Sequence, residues 1–229
     1  MFYIISLVIL VTLYVLMLCL QRKFKHTKLV NAIYCVSIFV LYVIAVINVY
    51  KRDGAQDWNF KNTLPYANVS PFMFCSMPLY FVLPKKVRKY YLTLISLLCV
   101  GMFLSPVFNL LRNAYIHYKF HFHFLLDYIA HFMLSLWGLY LVSSKQVELK
   151  KRDVLIGGSI IVMVVIIMLV LNIIFDTAFF GLSLNGKHNI YNVVLVNDSY
   201  LSALIYFAGL ITVLITSFLL QYVLNKNNK

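Results

Sequence analysis

The stretch "FYIISLVILVTLYVLMLCL", residues 2–20, holds nineteen residues and no charged one. A helix rises 1.5 Å per residue, so this run is about 28 Å long, close to the roughly 30 Å of a bilayer's hydrocarbon core. No basic residue stands before it, and no small-residue cleavage site follows. The run is too long and too uniform for a removable leader, and is expected to be a retained transmembrane helix.

The rest of the chain follows the same pattern. Of 229 residues, 62% are hydrophobic and 12% are charged, where a soluble domain carries about a quarter charged. One soluble core cannot hide that much apolar surface, so the bilayer is the expected solvent. Seven runs are long enough to span, at about 2–20, 29–50, 64–83, 91–111, 122–143, 154–176 and 200–224. The fold class expected is all-α, a polytopic bundle of seven transmembrane helices forming one domain over 1–229.

The net charge of +13 first suggests nucleic acid, but its distribution argues against that partner. Lys and Arg sit in short clusters between apolar runs, as in loops held at an anionic cytosolic leaflet. The loops at 21–28, 84–90 and 144–153 with the C-terminal tail hold 14 of the 20, and the opposite loops hold 6. This asymmetry puts the N-terminus outside and the C-terminus in the cytosol of a cell membrane. Short loops suit a bacterial cytoplasmic membrane. Cys19, Cys35, Cys75 and Cys99 all lie in apolar runs with no CxxC pair, so buried, inert thiols are expected.

The polar residues inside the spans are the candidates for function. In "HFHFLLDYIAHF", residues 121–132, His123, Asp127 and His131 are four apart and share a helix face. Asp127 lies about 8 Å into the fifth span and His131 about 14 Å. An intramembrane carboxylate is costly and wants a partner. His131, one turn deeper, is the expected one: a base whose tautomer the Asp127 carboxylate fixes. A plain interhelical hydrogen bond is the competing reading.

The third span, "LPYANVSPFMFCSMPLYFVLP", residues 64–84, holds four of the five prolines. Proline kinks a helix and frees a carbonyl four residues back, which in a bundle can line a polar cavity. Asn68 and Ser70 precede Pro71; Asn68 is a candidate oxyanion or head-group donor, or a structural partner of freed backbone. Asn109 ends the fourth span. Asn172 and Asp176 lie one turn apart at the end of the sixth, where Asp176 could equally cap the helix. The loop after it carries His188, Asn189 and Asn192 in "GKHNIYN", a lid over the cavity or a solvated turn. Polar residues thus gather in the outer halves of spans three to six, and the inner halves read as almost purely apolar. His117–His121 and His123–Asp127–His131 have spacings a metal can use, but no HExxH motif accompanies them. Neither a metal nor another cofactor is expected.

The order of these features resembles the YwaF-like bacterial integral membrane proteins, whose eukaryotic relatives include an intramembrane cysteine-dependent lipid acyltransferase. The resemblance covers about residues 30–220 and rests on Leu64–Pro65 opening a polar third span, on His131, and on "LNIIFDTAFFG" (171–181) leading into an Asn- and Tyr-rich loop. It implies acyl chemistry on a lipid. The family's third span typically runs "PLHLC", with a histidine and a nucleophilic cysteine. Here the matching stretch is "PYANV", residues 65–69, so acyl transfer would need Ser70 or Thr63 as nucleophile with His131 as base.

Three function classes follow. One is a membrane enzyme, a transferase or hydrolase acting on a lipid or lipid-linked substrate from the outer leaflet. The second is a small-molecule binding or transport protein using Asp127–His131 as a proton relay. The third is a subunit that meets a membrane-protein partner without chemistry of its own.

Overall fold

Residues 2–21, 27–57, 69–115, 122–147 and 150–175 are described by a computed structural model, together with Ile211, Thr212, Ile215, Thr216, Phe218, Leu219 and Tyr222. Among these residues the regular structure is helical, with no strand. We label the helices α1 (Phe2–Gln21), α2 (Thr27–Asp57), α3 (Val69–Ser76), α4 (Leu79–Val82), α5 (Lys85–Tyr115), α6 (Phe122–Ser143) and α7 (Lys151–Phe175).

Four stretches are long and apolar enough to cross a membrane: Thr27–Asn48, Lys85–Leu111, Phe124–Ser143 and Arg152–Phe175. The apolar part of α1, Tyr3–Met17, is shorter. The outward surface suits lipid: Leu155 is 70% exposed and Ile174 65%, where a water-facing surface would rarely gather such side chains.

The bundle is built around α6, which is 78% buried over its apolar span against 22% for α7. It packs chiefly on α5 and α2, and also on α1. Small residues allow the closest approach. At Gly138 an added Cβ would lie 2.7 Å from Cys99 Cβ and 2.8 Å from the Ile95 carbonyl oxygen, so α5 and α6 meet where α6 has no side chain. At Gly157 of α7 it would lie 2.9 Å from Leu97 of α5. Lys89 Nζ and Asp153 Oδ2, 3.0 Å apart, tie the first turns of α5 and α7 together. These two helices therefore run parallel.

The third span differs from the kinked helix expected over 64–83. Its described part is two short helices broken at Met77–Pro78. Pro78 has no N–H to give the Phe74 carbonyl four residues back, and the Met77 amide takes that acceptor at 3.3 Å. Tyr91 of α5 donates its hydroxyl to the Ser76 carbonyl at 3.0 Å. Leu83 is extended, with φ −67° and ψ 135°, as a residue before proline prefers, and it ends α4. Pro84 then leads into α5, accepting from the Arg88 amide at 2.8 Å. The cytosolic loop expected at 84–90 is thus mostly the opening of α5.

Candidate functional site

His131 is buried in the N-terminal half of α6, and its ring stands edge-on to Phe74 of α3 at 5.0 Å between centroids. Lower down, Tyr80 of α4 meets Trp137 of α6 in the same edge-on manner at 6.0 Å. Both pairs are separated by 57 positions, so α3–α4 and α6 run parallel in one register. Ser70 lies four residues before Phe74, and Asp127 four before His131. Each pair stacks on one helix face, which brings Ser70 level with Asp127. Ser70 is buried.

The His131–Asp127 contact differs from the expected one. Nδ1 of His131 lies 2.8 Å from the Asp127 main-chain carbonyl and 3.5 Å from its carboxylate Oδ1. The carbonyl is the primary partner. A carbonyl oxygen can only accept, so Nδ1 carries the proton and Nε2 of the neutral ring keeps its lone pair. The tautomer suited to a base is held by the backbone of α6, with the carboxylate as a longer electrostatic neighbour. The Asp127 side chain is 36% exposed, that of His131 6%; the carboxylate keeps an open side while the imidazole is enclosed.

Two further residues join this site. Tyr42 of α2 is buried. Its polar neighbours are the Cys75 thiol and the Asp127 carboxylate. Cys75 follows Phe74 on α3 and is half-buried. Tyr42 went unnoticed in the sequence because it reads as one more aromatic in an apolar span. Cys75 read as one of four inert thiols in apolar runs; its neighbour Phe74 proves to be level with His131.

Asn172 is buried in α7 and Asn109 is half-buried near the end of α5. Asn68, Thr63, Asp176, His188, Asn189 and Asn192 lie outside the described residues, as do His117 and His121. Among the described residues no three His, Cys, Asp or Glu side chains converge as metal ligands would.

A second polar cluster lies toward the other end of α6, in the half that reads as apolar in the sequence. Asn31 of α2 donates to Tyr80 Oη at 3.2 Å and to Gln146 Oε1 at 2.6 Å, and accepts from Trp137 Nε1 at 3.0 Å. Gln146 also donates to Ser144 Oγ at 2.8 Å. Tyr14 of α1 and Ser135 of α6 share a hydrogen bond of 2.9 Å. All the groups around Asn31 are paired, as a buried polar network must be to stabilise a fold.

Comparison with protein-family models, curated proteins and solved structures finds no match to this chain.

Proposed function

We propose that this chain is a seven-span protein of a cell membrane, N-terminus outside, whose site between α2, α3 and α6 hydrolyses or transfers the acyl group of a lipid ester. The observation that carries the reading is the tautomer of His131. A buried imidazole with Nδ1–H bound to a carbonyl offers Nε2 as a base on the side away from that bond. Ser70, level with Asp127 on the facing helix, is the candidate nucleophile. Its Oγ would attack the ester carbonyl while its proton passes to Nε2 of His131. The leaving alcohol takes that proton back, and the acyl-Ser70 ester is then transferred to water or to a second alcohol. The Tyr42 hydroxyl, buried beside the Cys75 thiol and the Asp127 carboxylate, suits donation to the carbonyl oxygen as it gains charge. The YwaF-like resemblance, with its intramembrane acyl chemistry, fits the same reading.

The test uses purified protein, a fluorophosphonate reagent that labels activated serines, and a phospholipid with radiolabelled acyl chains. Wild type should be labelled on Ser70 and should release or transfer labelled acyl groups. Ser70→Ala and His131→Ala should each lose at least 100-fold in rate while keeping the melting temperature of wild type. Asp127→Asn keeps the main-chain carbonyl, so its loss should stay below 10-fold. A wild type neither labelled nor active would sink the enzymatic reading.

One observation favours a second reading, a small-molecule binding or transport protein. Asn31, Tyr14 and Ser135 carry polar groups into the half of the bundle that otherwise reads as apolar, as a solute path requires.

A further inference from the structure

α7 carries a stripe that does not face the protein core. From Val154 and Leu155 through Gly158 and Val162 to Ile166 and Ile167, its residues recur at helical spacing along one side of the helix. With Leu97 of α5 as floor and Ile211, Ile215 and Phe218 as far wall, they line a groove of about 570 Å³. That size is within the range of about 300–1,000 Å³ usual for ligand clefts. From Val154 to Ile167 the stripe is about 20 Å long. One leaflet of hydrocarbon is about 15 Å deep, half of the core thickness. The groove is therefore long enough to run the full depth of one leaflet, and among the described lining residues Ser159 alone has a polar side chain.

The groove's head is cationic. Arg152, three residues before Leu155, lies one turn above it on the same stripe, and its side chain is exposed. Lys86 lies eleven residues before Leu97, about three turns, and is exposed too. Lys85 and Lys150 lie at the same end and are exposed. The acidic residue in this first turn of α7, Asp153, is buried against Lys89 at 3.0 Å. The α5 first turn holds no acidic residue. Cations at a helix N-terminus oppose the helix dipole, so intrinsic helix stability does not account for them. An anion outside the helices does, and both dipoles would add to its attraction.

We propose that this groove is a binding site for an anionic phospholipid of the leaflet facing the α5 and α7 N-termini. One acyl chain lies along Leu155, Gly158, Val162 and Ile166, and the phosphate is held between Arg152 and Lys86. The charged head of the site is at the opposite end of the bundle from His131, and the site stands whether or not that residue does chemistry.

The experiment uses the full chain, purified in detergent and delipidated, titrated with palmitoyl-oleoyl phosphatidylglycerol or phosphatidylcholine and read by native mass spectrometry. Phosphatidylglycerol should bind with a Kd at least 10-fold below that of phosphatidylcholine. Arg152→Glu with Lys86→Glu should remove that preference. A Cβ added at Gly158 meets nothing within 4 Å, so Gly158→Leu should fill the groove without disturbing the fold. It should weaken phosphatidylglycerol at least 10-fold at an unchanged melting temperature. Dihexanoyl phosphatidylglycerol, which keeps the phosphate but lacks long chains, should bind at least 10-fold more weakly than the long-chain lipid. Equal affinity for the two long-chain lipids, or a Gly158→Leu protein that binds like wild type, would overturn the proposal.

Discussion

Asn31 shows how much one buried side chain can organise. Its amide meets three partners from two other helices and a loop, and each bond uses a different lone pair or proton. The Gln146 arm depends on the turn after α6. There the Gln146 amide reaches back to the Leu141 carbonyl at 3.0 Å and the Lys145 amide to Val142 at 3.0 Å, closing the helix end in the Schellman manner. Lys145 takes the left-handed conformation this requires, with φ 59°. Asn31→Ala would strand the Trp137 N–H in an apolar surrounding, at about 1–3 kcal/mol. Gln146→Ala removes two bonds, to Asn31 and to Ser144, but at a half-exposed site where water can replace them, and should cost about 0.5–1.5 kcal/mol. Thermal unfolding in detergent should rank the two in that order. A melting temperature unmoved by Asn31→Ala would mean that the network contributes nothing to stability.

At the scale of elements, Gly138 and Gly158 make a matched pair. Gly138 lies where the backbone of α5 approaches, and a carbonyl oxygen 2.8 Å away cannot turn aside as a side chain can. Gly138→Ala should therefore force α5 and α6 apart, at about 1–3 kcal/mol. Gly158→Ala, with open space beside it, should fall within about 0.5 kcal/mol of wild type. Equal stabilities for the two variants, measured side by side, would contradict the α5–α6 contact. The same scale explains the third span. Four prolines in 21 residues read as a kink, yet at Pro78 the helix breaks altogether. Tyr91 and Met77 can satisfy the carbonyls near the break, and a broken helix leaves Phe74 and Tyr80 free to seat separately against His131 and Trp137.

For the whole molecule, the distribution of Lys and Arg implies one orientation. A cysteine placed at Gly186 should react with a membrane-impermeant maleimide added outside intact cells, and one placed at Lys145 should react only after lysis. Lys145 is an exposed position between α6 and α7, so access alone would not protect it. The reverse pattern would invert the bundle and move the His131 site to the cytosolic leaflet.

The apolar runs determined that the chain is helical, and roughly where α2, α5, α6 and α7 lie. Lipid leaves backbone groups no partner but their own helix, so composition alone decides that much. The four-residue spacing likewise placed Asp127 and His131 on one face, because that geometry is local. Tertiary structure decided everything that depends on distant residues meeting. Asn31 and Trp137 are 106 positions apart, and nothing local marks them as a pair. Tyr42 joins the His131 site only because α2 packs on α6. Even the His131 partner lies beyond the sequence pattern: spacing brings Asp127 within reach, but with the ring held edge-on to Phe74 of α3, Nδ1 meets its carbonyl at 2.8 Å and its carboxylate at 3.5 Å. Periodicity says which side chains share a face, whereas the choice among partners there is made by burial and by what the neighbouring helix leaves room for.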